Sequence, residues 1–296
     1  MKHLFIINPE AGKRKAKGMV PEIMRILDEK QEEYFIEYTE YHGHATEIAK
    51  KYAKTEDFRI YSLGGDGTLS EVLNGIVGSG SSLAVIPAGS GNDFFRSISD
   101  NNTTDILHRT INGSEKVIDI GKVNEKYFLN ISSVGFDAEI GHNADALKQK
   151  PLIPSNAVYI LSIFTTILKN RTYDLKISID GKSFSEKLLL AAISNARYYG
   201  GGVLPSPEAK IDDGLFDICT VKSLSKLKIL RLFPKYIKGT HGILEEVSFY
   251  KCKKLEISCN EPIPLNIDGE ISAAFSAVFE IVPSALSFVF PAPFSR

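Results

Sequence analysis

Along the first third of the chain, short apolar runs alternate with stretches in which apolar residues return every three or four positions. The runs are 4–7, 34–38, 60–63 and 83–86, and the stretches between them are 18–27, 46–53 and 69–76. Short runs bounded by turn residues predict strands, and the longer period predicts amphipathic helices. Their alternation predicts βαβ units, hence a mainly parallel sheet with helices on both faces. In such sheets ligands bind outside the carboxyl ends of the strands. The turns expected there are 8–13 (Asn-Pro-Glu-Ala-Gly-Lys), 64–68 (Gly-Gly-Asp-Gly-Thr) and 87–93 (Pro-Ala-Gly-Ser-Gly-Asn-Asp).

After about Asp119 the pattern turns to β-type alternation. Strands are predicted at 126–134, 173–179, 187–194, 216–221, 254–258 and 277–282, interrupted by helical patterns at 157–168 and 224–237. This predicts a second domain built as a β-sandwich or folded sheet, with the active cleft between the two. The expected division is an α/β nucleotide-binding domain over 1–121 and a β-sandwich domain over 122–296, the last few residues being free to return to the first.

Composition narrows the classes. Hydrophobic residues make up 43% of the 296, enough for packed cores and too many for a disordered chain. A formal net charge of −1 provides no whole-molecule field to draw nucleic acid or an anionic membrane, so any basic attraction must be local. Cys219, Cys252 and Cys259 form no CxxC pair and read as reduced structural thiols. The apolar run after Met1-Lys2-His3 breaks at Asn8-Pro9, too soon for a signal peptide, and 157–168 is too short to span a bilayer. The expected location is the cytoplasm.

The turn 64–68 follows an apolar strand and opens a helix, so backbone N–H groups and the helix N-terminus can face an anion. Three glycines in four positions let phosphate approach the backbone. A plain β-turn uses the same residues. The turn 89–93 repeats the arrangement one βα unit later, where Asn92 or Asp93 could also serve as a helix cap. Neither is a Walker A sequence, and no GxGxxG is present, which disfavours a dinucleotide dehydrogenase.

With these pieces in hand the chain resembles the diacylglycerol kinase catalytic-domain family, most closely its soluble bacterial lipid kinases. The matching segments are Asn8-Pro9 with Gly12-Lys13, 64–68 running into 71–75 (Glu-Val-Leu-Asn-Gly), 87–93, 130–137 (NISSVGFD), 195–217 (NARYYGGGVLPSPEAKIDDGLFD) and 266–270 (NIDGE). The ordered set is specific, whereas Gly-Gly-Asp-Gly alone is shared with NAD kinases and phosphofructokinase-like enzymes. Two departures are Ser90, where the family often has Thr, and Ser206-Pro207-Glu208, where Ala-Pro-Asp is more usual. The resemblance implies a nucleotide domain of the phosphofructokinase and NAD kinase type, a C-terminal β-sandwich, ATP, Mg²⁺ and a lipid alcohol.

The family pattern also implies roles. Asn8, Gly65, Asp66, Gly67, Thr68, Ser90, Asn92 and Asp93 fall to the nucleotide, with Lys13 as the cation nearest the phosphates. Lys13 stands beside Arg14, Lys15 and Lys17, so a solvated basic loop is its alternative. Asp66 and Asp93 are expected to hold Mg²⁺, which prefers hard oxygen ligands. Glu270 matches the general base and, with Asp66, forms the expected catalytic pair; an Asp-Gly hairpin is the plain reading of 268–270. Asp213 matches a residue that holds a second, structural Mg²⁺ in some members, against an ordinary turn at 212–215. His42-Gly43-His44 reads as a helix-entry loop without chemistry, and 198–202 as a cleft loop near the acceptor.

In 223–238, Lys228, Arg231, Lys235 and Lys238 recur on one helical face beside Leu230, Phe233 and Ile237. Such a helix can lie on anionic headgroups or simply pack on one side, and Pro234 could break it. The reaction expected is ATP-dependent phosphorylation of a lipid alcohol such as diacylglycerol. The alternatives are a kinase for a soluble acceptor such as NAD and a non-catalytic lipid- or nucleotide-binding protein. Transient membrane contact and a homodimer stay open, no nucleic-acid partner is expected, and the acceptor's identity is not written in any motif.

Overall fold

The computed structural model describes residues 1–12, 15–99, 101–148 and 155–294. The first part runs β1 (Lys2–Ile7), α1 (Lys15–Gly18), α2 (Val20–Lys30), β2 (Glu33–Tyr38), α3 (His44–Ala53), β3 (Arg59–Gly64), α4 (Asp66–Ile76), β4 (Ser82–Pro87), α5 (Asp93–Ile98) and α6 (Ile106–Ile111). The second runs β5 (Ser114–Val123), β6 (Lys126–Phe128), β7 (Ile131–Gly135), α7 (Phe136–Lys148), α8 (Ser155–Lys169), β8 (Tyr173–Ile179), β9 (Lys182–Ser194), β10 (Phe216–Lys222), α9 (Lys226–Ile237), β11 (Val247–Cys252), β12 (Lys254–Ile267) and β13 (Glu270–Phe290).

The predicted alternation becomes a parallel sheet in the order β4-β3-β1-β2. Apart from their first residues, β1 and β3 are buried throughout, as is all of β4, because helices cover both faces and leave no side for polar residues. β2 lies at the edge and is only half-buried. The core here gathers Phe5, Tyr61, Val72 and Phe94, with the Phe5 and Tyr61 rings stacked 4.3 Å apart.

The β-rich part closes on itself. β9 pairs with β8 along its first half and with β7 along its second, while β12 pairs with β8 early and β7 late. The ring β9-β7-β12-β8 folds the sheet into two layers around a separate core that includes Leu188, Phe216, Leu255 and Phe279. β13 joins the two parts: its first half pairs with β12, its second with β5, and Phe288 lies beside Leu83 of β4.

Several elements differ from the pattern reading. The strand predicted over 126–134 is split into β6 and β7, because the amides of Leu129, Asn130 and Ile131 donate to the Asp268 carboxylate rather than along a ladder. The strand predicted at 254–258 is the first part of β12 and that at 277–282 the middle of β13; the rest escaped detection because polar residues there break the period-two pattern. Helix α7 was not predicted; beside Phe136, Ala138, Ile140, Ala144 and Leu147 it buries the polar Glu139 and Asn143, so no clean apolar stripe marks it in the sequence. Helix α9 runs through Pro234. The three cysteines are free, two of them buried. Among the described residues no helix is long and apolar enough to cross a membrane.

Candidate active site

From β1 the chain moves out to β2 and then returns to β3 on the other side of β1, so the crevice opens where the β1 and β3 carboxyl ends separate. Asn8 sits there. Its N–H donates to the Leu63 carbonyl at 2.9 Å and its Nδ2 to Thr68 Oγ1 at 3.4 Å. Helix α4 starts at Asp66 behind Gly65, and no side chain caps it, leaving its first amides to face the crevice.

The two glycine turns touch. A Cβ on Gly89 would lie 2.4 Å from Gly65 Cα, closer than real atoms approach, so glycine is required by contact; the backbone angle alone would admit other residues. Gly89→Ala is therefore expected to force the turns apart, costing about 1–3 kcal/mol of stability by overpacking. The check is a lowered thermal midpoint together with weakened nucleotide binding; an unchanged midpoint would contradict the contact.

A Cβ on Gly91 would lie 2.8 Å from Asp66 Oδ2 and 3.4 Å from Asp93 Oδ2, so the two carboxylates converge on one point. Asp66 Oδ1 accepts the Phe94 N–H at 3.2 Å. Burial raises the Asp66 carboxyl above its usual value, against neighbouring amides that favour the anion. Asp93 is buried; its Oδ2 accepts the Gly201 N–H at 2.8 Å, and its carboxyl is also raised by burial. Its Oδ1 has no hydrogen-bond partner, and Arg96 Nε stands 3.9 Å away. An orphaned, buried carboxylate oxygen beside a second carboxylate suits a divalent cation.

The opposite wall comes from the β12–β13 turn. Asp268 accepts three amides, from Leu129 at 2.7 Å, Asn130 at 3.0 Å and Ile131 at 3.2 Å. Burial pushes its carboxyl up to about 7, while those amides pull it down. Glu270 follows the turn, one third exposed, and its Oε2 accepts a hydrogen bond from Lys126 Nζ of β6. Both walls border a single cavity of about 1520 Å³. Asn8, Gly65, Asp66, Gly67 and Thr68 line one side of it, Ser90 and Asp93 the next turn, and Glu270 the far wall. Lys17 is the one lysine or arginine among its described lining residues.

The cavity continues into an apolar chamber. Phe136 and Ile140 of α7, Leu189 of β9, and Ile229, Leu232 and Phe233 of α9 form its walls. One polar group interrupts them: Asp137 accepts from the Tyr199 hydroxyl, which lies 3.0 Å from the Tyr236 hydroxyl. Burial lifts the Asp137 carboxyl to about 6, with the Tyr199 bond acting against it.

Two expected residues stand elsewhere, and a third cannot be placed. Asn92 does not line the cavity; with φ at 53° it folds its side chain onto Gly89, accepting from the amide at 3.0 Å and donating to the carbonyl at 2.8 Å, and so shapes the second turn. Asp213 also lies off the cavity, where one oxygen accepts the Leu215 N–H at 3.2 Å and the other pairs with Lys251 at 3.2 Å. Lys13 falls outside the described residues. Lys126 and Tyr236 were not singled out by motif, since a lone lysine in a strand and a tyrosine on a helix carry no local signal; Asp137 and Tyr199 lie in the matching segments 130–137 and 195–217 but received no chemical role there.

Comparison with known proteins agrees across the chain. Residues 2–123 match the family model of the diacylglycerol kinase catalytic domain, and residues 130–290 that of the YegS C-terminal NAD kinase beta sandwich-like domain. The chain is 32% identical over 281 residues to a protein named diacylglycerol kinase from Staphylococcus carnosus (strain TM300), covering 93% of this chain and 90% of that one. To one of the same name from Bacillus subtilis (strain 168) it is 29% identical over 280 residues, covering 93% and 91%. A crystal structure of a candidate diacylglycerol kinase from Bacillus anthracis str. Sterne superposes with a TM-score of 0.75 at 25% identity, covering 98% of this chain and 97% of that one.

Proposed function

The chain belongs to the diacylglycerol kinase catalytic-domain family of ATP-using phosphotransferases, and from that premise we propose that it transfers the γ-phosphoryl group of ATP, with Mg²⁺, to the hydroxyl of a lipid alcohol. The observation that carries this reading is the cavity's double nature. Glycine turns and paired carboxylates line one end, apolar side chains line the other, and Glu270 borders the same space.

Phosphoryl transfer is mostly positioning and charge stabilisation. The α4 N-terminus and the amides of both glycine turns would hold phosphate oxygens. Asp66 and Asp93 would hold Mg²⁺, which when bound neutralises phosphate charge where Lys17 is the one lysine or arginine among the described lining residues. The acceptor oxygen forms the new bond to phosphorus as the bond to the β-phosphate oxygen breaks and ADP leaves. Its proton passes to Glu270 as general base.

The apolar chamber favours a lipid acceptor over NAD, whose acceptor end is polar. The test is incubation with labelled ATP, Mg²⁺ and mixed lipid micelles. Label in the organic phase is expected; label on NAD would replace the lipid reading with the soluble-acceptor one. ATP binding without transfer to any acceptor would leave a non-catalytic binding protein.

A lipid must also reach the chamber. Helix α9 buries Ile229, Leu232 and Tyr236 and exposes Leu227, Leu230 and Ile237, with Arg231 and Lys238 alongside. Next to it α8 exposes Leu161, Phe164 and Leu168, the last two 55% and 66% accessible. An apolar surface flanked by cations, on the outside of the chamber wall, supports transient docking on an anionic bilayer. Arg231→Gln with Lys238→Gln is expected to weaken binding to phosphatidylglycerol vesicles roughly 30-fold, at about 1 kcal/mol per basic residue. Turnover of a short-chain, dispersed acceptor should be unaffected. Equal vesicle binding by variant and parent would remove this docking surface.

A further inference from the structure

We infer that Lys126 is a positioning residue for the transfer step, holding the Glu270 carboxylate in place so that its second oxygen can take the acceptor's proton. The inference rests on the phosphotransferase reading and adds to it a residue that no motif singles out.

The geometry is a frame with Glu270 at its centre. Lys126 opens the short strand β6, and its Nζ donates to Glu270 Oε2 across 144 residues of sequence. That strand is fastened on both sides. Asn74, on the helix whose first turn faces the phosphate site, donates from Nδ2 to the Tyr127 carbonyl at 3.0 Å and accepts the Tyr127 N–H at Oδ1 at 3.0 Å. Directly after β6, the amides of residues 129–131 bind Asp268, two positions before Glu270. Base, lysine and phosphate-binding helix are thereby joined through hydrogen bonds, so a shift of α4 is transmitted to the base.

The Lys126 contact engages one oxygen of Glu270, leaving Oε1 for the acceptor hydroxyl.

Lys126 is partly exposed, its side chain 37% accessible, so truncation removes little packing. Lys126→Met is expected to lower kcat roughly tenfold, a part of the 10²–10⁴ a general base supplies, with KM for ATP little changed. Lys126→Arg should restore kcat. In a Glu270→Gln background Lys126→Met should add no further loss, because a residue acting through the base has nothing left to position. An unchanged kcat in Lys126→Met, or losses that multiply in the double variant, would overturn the inference while leaving the kinase reading intact. A parent protein that phosphorylates no acceptor would overturn both.

Discussion

Asp66→Ala is expected to abolish measurable transfer, lowering kcat/KM by roughly 10³-fold or more, since metal-mediated charge stabilisation is worth several kcal/mol. Asp66 does three things at once. It begins the helix whose amides face the crevice, it ties the second turn through the Phe94 amide, and it aims Oδ2 at the point shared with Asp93. Asp66→Asn keeps the shape and the acceptor for Phe94 but removes the charge, so it separates scaffold from electrostatics. If the charge is what matters, Asp66→Asn should be nearly as inactive as Asp66→Ala while melting like the parent. The measurement is steady-state transfer across a Mg²⁺ titration, alongside a thermal melt. Near-normal turnover in Asp66→Asn would remove the metal role from this residue.

Glu270→Gln should reduce kcat by roughly 10²–10⁴, or about 3–5 kcal/mol of transition-state stabilisation, with ATP binding retained. Glutamine preserves the size of the side chain and an oxygen for Lys126, but it cannot take the acceptor's proton. The residue borders the cavity on the wall opposite the nucleotide turns, where an acceptor hydroxyl would have to enter. A turnover within a few-fold of the parent, at saturating lipid and ATP, would exclude it as the base.

The glycine-turn end of the cavity was legible because its geometry lies within short stretches of chain. An apolar strand followed by Gly-Gly-Asp-Gly-Thr and a helical period already implies exposed amides at a helix start. The family resemblance added Glu270, which local reading would leave as a hairpin turn. Asn92 was assigned to the nucleotide, yet its side chain bonds back to Gly89, a use that composition cannot separate from ligand contact. The helical face in 223–238 was read with Leu230, Phe233 and Ile237 as one stripe. In the fold Phe233 lines the chamber whereas Leu230 and Ile237 face outward, because the buried row is Ile229, Leu232 and Tyr236.

What lay beyond the sequence is everything made by contact between distant segments. The split between β6 and β7 depends on Asp268 arriving from nearly 140 residues away, 137–139 positions in all, to take the amides. The chamber depends on α7, which showed no clean stripe, meeting β9 and α9, and the Asp137–Tyr199 bond spans 62 positions. The sequence by itself determined the parallel α/β half and its phosphate-ready turns, since strand, glycine and helix periodicities are local properties of the backbone. Only the tertiary structure decided which acid faces Lys126 and where the apolar chamber opens, because a sheet that closes on itself brings together residues whose spacing along the chain obeys no period.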